Sequence, residues 1–180
     1  LYDPPTVATP DMLGTLQLPN STGGVNWPGA SADPETGFFY VYTKTQIGAL
    51  GMINDPDRSD MDFIRGRPDG VSFRDAGTNI DGFPMIKPPW GRITGINMNT
   101  GDIAWQIPHG EAPDNIQSHP LMDGADIGRT GWPGRVGLLI TKNLVVAGES
   151  GFYTTETGEV GAMLRAYDKA TGDEVGAVYM

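Results

Sequence analysis

Asn26 and Trp27 stand between Gly23-Gly24 and Gly29. The Asn amide offers both hydrogen-bond donors and an acceptor. The indole offers a flat apolar face with one N–H. Flanking glycines let backbone approach a flat ligand closely. Read from the residues alone, the group is first a loop whose Trp plugs a hydrophobic gap, and only second a seat for a flat ligand. A second stretch, Trp132-Pro-Gly-Arg135-Val136-Gly137, adds a guanidinium that can pair with a carboxylate. Its plain alternative is an exposed Arg in a glycine loop.

Other chemistries fit poorly. His109 and His119 are the only histidines; with no HExxH motif and no carboxylate at ligand spacing, zinc is disfavoured. His119, in the loop NIQSHP, reads as a surface or satisfied loop histidine before a cleft residue. The run Asp55 to Asp62 invites calcium, but the sixth and twelfth positions of an EF-hand loop would hold Asp60 and Gly66 instead of Gly and Glu. It reads as a solvated acidic insertion. Gly128-x-x-Gly131-x-x-Gly134 has neither the spacing nor the following helix of a nucleotide loop. The sequon at Asn20 reads as chance. The absence of Cys rules out disulfides and thiolate metal sites within these residues. A net charge of −10 with scattered Lys and Arg disfavours nucleic acid as a partner. No apolar run approaches the roughly 20 residues of a membrane span.

Short β runs must position these residues. FFYVY, VGLLI, LVVAG and MLRAY are strand-like and are punctuated by the 26 Gly and 15 Pro, so an all-β fold with long loops is predicted. Three corners repeat the pattern Asp/Asn-x-x-Thr-Gly: Asp33 to Gly37, Asn97 to Gly101 and Asp168 to Gly172. The first side chain can accept from backbone N–H groups two or three residues on, and Gly closes the turn at positive φ. Their starts at 33, 97 and 168 lie 64 and 71 residues apart. A propeller blade takes ~40–50 residues, so insertions are predicted over about 53–89 and 108–133 within a single partial domain spanning 1–180. A hairpin is predicted at Gly137–Thr141 and Leu144–Gly148, turning at Lys142-Asn143.

The middle corner extends to Gly95-x-Asn97-x-x-Thr100-Gly101-x-x-x-Trp105. This resembles the tryptophan-docking motif of quinoprotein dehydrogenase propellers, where the Trp packs against the neighbouring blade. The third copy starts at Ala166 but has Gly176 in place of Trp, and the first has Ser31 and Val41 at those ends. The stretches GGVNWPGASADPETGFFYV, KPPWGRITGINMNTGDIAWQIPHGE and GLLITKNLVVAGES with LRAYDKATGDEV are similar to those of pyrroloquinoline-quinone (PQQ) dependent alcohol and sugar dehydrogenases. The membrane-type glucose dehydrogenase branch is the nearest likeness.

The resemblance implies an eight-bladed propeller of four-stranded antiparallel blades, of which this chain supplies about three. It implies PQQ as cofactor, with Ca²⁺ beside it, and oxidation of a sugar or alcohol C–OH by hydride transfer to the quinone. Asn26, Trp27, Arg135 and Val136 are the implied cofactor contacts. Trp105 is implied to be structural, and Trp90 reads as a packed loop residue. No catalytic residue is expected here: the catalytic Asp, the Ca²⁺ ligands and an active-site Lys belong upstream of Leu1. The implied setting is the periplasm, including at the membrane. The implied partners are ubiquinone or cytochrome c as electron acceptor, and the rest of the propeller or other copies of the chain. Because the implied strand would continue past Met180, the chain reads as a fragment that cannot turn over alone. A non-catalytic propeller scaffold is the alternative from another class, and a secreted β-sandwich binding module a third.

Overall fold

The computed structural model describes residues 3–27, 29–69, 71, 78–154 and 157–180. Residues 70 and 72–77 of the predicted first insertion, and Pro28 beside Trp27, lie outside that set. The chain forms two compact units, one of residues 1–23 and 46–86, the other of residues 24–45 and 87–180.

The second unit is built on two four-stranded antiparallel sheets, with a short antiparallel pair, Tyr153–Thr154 and Val160–Gly161, beside them in sequence. The first sheet is β1 (Ala30–Asp33), β2 (Phe38–Lys44), β3 (Gly91–Asn97) and β4 (Asp102–Pro108), in the order β4-β3-β2-β1. The second is β5 (Leu138–Ile140), β6 (Leu144–Gly148), β7 (Met163–Asp168) and β8 (Glu174–Tyr179), each strand beside its sequence neighbour. Both are meanders, the connectivity that a blade requires. The hairpin predicted around Lys142-Asn143 is β5-β6. Between β4 and β5, the predicted insertion contains one helical turn, Asp114–Gln117, and a 3₁₀ turn, Pro120–Met122.

The strands bury side chains with period two. In β6, Val145 and Ala147 are buried between less buried neighbours, and in β7 Arg165 and Tyr167 are. β2 lies inside its sheet and buries Tyr40, Val41, Tyr42 and Lys44. Tyr40, Tyr42, Ile93 and Trp105 from the first sheet meet Leu138, Val145, Ala147 and Tyr167 of the second, and Val136 just ahead of it, in one core.

All three corners fold as predicted. Asp33 accepts from the Glu35 N–H at 3.1 Å and the Thr36 hydroxyl at 2.6 Å. Asn97 accepts from the Asn99 N–H, and Asp168 from those of Ala170 and Thr171. Gly37, Gly101 and Gly172 donate back to residues 33, 97 and 168 and hold φ of 71°, 83° and 81°. The corners are not equivalent, however. Those at 97 and 168 join the last two strands of their sheets, whereas that at 33 joins the first two. The turn chemistry is common to any tight hairpin, so the motif alone does not say which hairpin it closes. The Lys169 ammonium (2.6 Å away) and the Thr36 hydroxyl hold the Asp33 carboxyl down to about 2.

Trp105 carries out the docking that its motif implies. A bulge in β4 between Ile103 and Trp105 re-aims the indole across Gly95, where a Cβ would come within 2.6 Å of the ring. The indole Nε1 donates to the Lys169 carbonyl at 3.0 Å, and the ring lies on Gly172. Lys169 and Gly172 belong to the far corner of the other sheet. The third copy keeps the frame, with Ala166 opposite Gly176, but nothing lies within 4 Å of where a Gly176 Cβ would be.

The first unit is built differently. Strand Gly48–Ile53 pairs parallel with Thr6–Val7 and antiparallel with Thr15–Gln17 and Ile64–Arg65. The predicted insertion thus starts earlier than residue 53, at Gln46, and Ile53 ends a strand instead of opening a loop.

Candidate functional site

β2 positions both stretches singled out from the sequence. The Lys44 N–H donates to the Gly24 carbonyl at 2.8 Å, and the Tyr42 N–H to the Gly29 carbonyl at 2.6 Å. Gly24 and Gly29 are therefore both fastened to β2. The Gly29 N–H donates to the Asn26 carbonyl at 2.6 Å and closes a tight loop around Asn26-Trp27. A Cβ at Gly29 would come within 2.7 Å of the Asn26 carbonyl, 3.3 Å of Tyr42's and 3.5 Å of Val136's. Gly29 is thus the point where Asn26 and Val136 meet, and no larger residue fits there.

Of the four predicted contact residues, Asn26 and Val136 come together at this point, with Val136 buried. Trp27 and Arg135 reach solvent instead, and Trp27 is 92% exposed. Among the described residues its indole plugs no gap. The Asn26 Nδ2 is buried and has no hydrogen-bond partner among the described residues. A buried donor left unpaired costs ~1–3 kcal/mol and demands an explanation. On β2 itself, burial and the Arg135 charge hold the Lys44 ammonium below its ordinary value.

Behind the site runs a buried hydrogen-bonded chain that sequence reasoning missed. The Tyr42 hydroxyl donates to the Trp132 carbonyl and accepts from the Gly134 N–H at 3.2 Å. His109, only 1% exposed, stands edge-on to the Tyr42 ring. Its Nδ1 lies 2.8 Å from the Tyr167 hydroxyl and its Nε2 3.2 Å from the Gly148 carbonyl. The carbonyl can only accept, so Nε2 carries the proton and Nδ1 accepts from Tyr167. Burial pushes the imidazole down to about 4 from 6.5. The one available signal was Tyr42 in FFYVY, two residues from Tyr40 and so on the same face of the strand.

His109 sets a pH dependence. Below pH 6.5 the unfolded chain takes up a proton that the folded chain refuses until about pH 4. Its contribution to stability is therefore complete above 6.5 and is lost as pH falls through that window, by about 3 kcal/mol in all. Urea unfolding at pH 7 and pH 4.5 should show the loss, and His109→Gln should flatten the slope across that interval. An unchanged slope in the variant would assign the effect to other groups.

The remaining candidates are structural. His119 Nδ1 accepts from the Leu121 N–H at 3.2 Å and caps the 3₁₀ turn. Trp90 is buried, and its backbone bonds Thr130 and Thr45. Asp55 pairs with Arg58 on the surface. Among the described residues, no group of three or more His, Cys, Asp or Glu side chains could hold a metal ion. None of their helices is long and apolar enough to cross a membrane.

Comparison with known proteins identifies the fold. The family model "PQQ: Glucose/ethanol/alcohol dehydrogenase, beta-propeller domain" matches residues 1–180. The chain belongs to this PQQ dehydrogenase propeller family. It is 26% identical over 182 aligned positions to a "Probable quinate dehydrogenase (quinone)" of Xanthomonas campestris pv. juglandis, covering 89% of this chain and 21% of that protein. It is 27% identical over 116 positions to a quinate/shikimate dehydrogenase (quinone) of Acinetobacter baylyi, covering 56% of this chain and 14% of the relative. A glycerol dehydrogenase large subunit of Gluconobacter thailandicus is 27% identical over 135 positions, covering 63% and 18%. The chain thus spans about a fifth or less of the length of these relatives, and its two meander sheets are blades of a partial propeller.

The residues at Gly29 fit the family's cofactor. PQQ is a flat quinone bearing carboxylates. The unpaired Asn26 Nδ2 suits the oxygens of such a group, and the narrow Gly29 backbone suits its flatness.

Proposed function

We propose that this chain supplies one wall of the cofactor site of a PQQ-dependent dehydrogenase that oxidises a sugar or alcohol C–OH. The observation that carries the reading is the buried, unpaired Nδ2 of Asn26. When bound, PQQ supplies the acceptor for the hydride. Asn26 would hold the group by donating its free Nδ2–H to one of the group's oxygens. Arg135 and Lys44 would balance its negative charge, Val136 and the Gly29 backbone would exclude water, and Trp27 would offer an apolar surface. The substrate class extends to polyhydroxylated alcohols, because the relatives are named for quinate, shikimate and glycerol.

The carboxylate base that takes the hydroxyl proton and the Ca²⁺ ligands lie in other parts of the propeller, so this chain alone does not turn over. Ubiquinone or cytochrome c accepts the electrons, in the periplasm. A non-catalytic scaffold would keep the docking Trp105 but has no use for a buried amide without a partner.

Asn26→Ala in the intact protein is the test. Calorimetric titration with PQQ should show affinity reduced by about tenfold or more, the worth of a lost buried hydrogen bond. The thermal midpoint without cofactor should hold or rise, because the change removes an unpaired donor. Unchanged affinity would overturn the reading.

A further inference from the structure

Two loops meet at the candidate site, and one residue holds both. Tyr42 grips the first through its backbone, since its N–H donates to the Gly29 carbonyl just beyond Asn26-Trp27. It grips the second through its side chain, bonding Trp132 and Gly134 just ahead of Arg135 and Val136. A Ser150 hydroxyl bond completes the phenol's one donor and two acceptor positions.

The fit around that phenol is close. A Cβ on Gly91 would come within 2.6 Å of the hydroxyl, and one on Gly134 within 1.9 Å of Ser150 Oγ. Burial pushes the phenol up to about 12, so it remains a donor at any working pH. The second loop is anchored on its far side too, where the Trp132 N–H donates to the His109 carbonyl at 3.0 Å and the Gly131 N–H to Gly110's.

We propose that Tyr42 is a positioning residue for the cofactor: its hydroxyl sets the approach of the Arg135–Val136 loop to the Asn26 loop before any ligand arrives. The assignment rests on the cofactor reading of Asn26. Tyr42 itself touches no ligand. It acts by keeping the binding-competent arrangement populated, and apparent affinity falls in proportion to that population.

Tyr42→Phe keeps the ring and removes the hydroxyl. In the intact protein it should weaken PQQ binding about tenfold by calorimetry. Tyr167→Phe is the matched control. It deletes an equally buried hydroxyl that bonds His109 and not the loop, so it should lower thermal stability while leaving PQQ affinity within about twofold of the parent. Hydrogen exchange adds a readout independent of affinity: residues 131–136 should exchange slowly without cofactor in the parent and faster in Tyr42→Phe.

Parental affinity in Tyr42→Phe would overturn the proposal, and so would equal losses in both Phe variants. If Tyr42→Phe does not fold, rapid exchange of 131–136 in the unmodified protein without PQQ would overturn it, and slow exchange there would support it. If Asn26→Ala also leaves affinity unchanged, the cofactor reading fails. If Asn26→Ala weakens binding and Tyr42→Phe does not, only the positioning role fails.

Discussion

Trp105→Ala is expected to destabilise the blade pair by about 3–5 kcal/mol, the range for emptying a core of a Trp side chain. The indole is 9% exposed and packs against Tyr40 with ring centroids 5.7 Å apart. Its removal opens a cavity between Gly95 and Gly172, neither of which has a side chain to fill it. It also takes one of two donors from the Lys169 carbonyl, leaving that of the Tyr40 hydroxyl at 3.1 Å. Trp105→Phe separates the contributions. It keeps most of the buried area and loses the Nε1–H bond, so about 1 kcal/mol from that bond should add to a small packing loss. Guanidinium unfolding of both variants would check the pair. A cost for Trp105→Ala below that expected for Trp105→Phe would mean that the docking is incidental.

Arg165→Met is expected to cost nearly as much, for an electrostatic reason. Arg165 is 5% exposed in its side chain and Glu149 2%, and they meet at 2.7 Å. The same guanidinium binds Glu111 and Glu174, and Arg129 bridges both of those carboxylates from outside. With Arg165 gone, Glu149 keeps only the Met163 N–H, at 3.1 Å, among its bonds from described residues. A buried carboxylate stripped of its counterion costs ~3–5 kcal/mol. Glu111 and Glu174 still have Arg129, so the loss should centre on Glu149. The double variant Arg165→Met, Glu149→Met tests this, because replacing both members of a buried pair by apolar groups is often neutral or favourable. Its stability should recover most of the single variant's loss. No recovery would show that the guanidinium acts mainly through Glu111 and Glu174.

These residues also show what the sequence could reveal. The corners at Asp33, Asn97 and Asp168 were legible because the side chain, the Thr and the Gly that make each turn lie within five consecutive residues. Trp105 was legible because its motif fixes its distance from the turn. Ala30–Asp33 was not, since Ala, Ser and Asp favour strands poorly; this segment is a strand because Phe38–Val41 pairs with it. Nor was Gly48–Ile53, whose sequence GALGMI lacks alternation and whose partners come from residues 6–7, 15–17 and 64–65.

The site divides in the same way. Asn26 stood out because glycines surround it, but its unpaired amide depends on what the fold leaves out of reach. The role of Tyr42 depends on a loop ninety residues away. His109 was weighed only as a metal ligand, because its neutral state follows from a Tyr167 hydroxyl and a Gly148 carbonyl that no local pattern announces.

The four indoles of the chain differ sharply in depth. Trp90 and Trp105 are buried, Trp132 is half-buried, and Trp27 is 92% exposed. Their emission therefore sorts by solvent contact, with the red, readily quenched component coming mainly from Trp27. That residue adjoins Asn26, so the molecule carries its own optical probe at the candidate site, and no dye or label need be attached there.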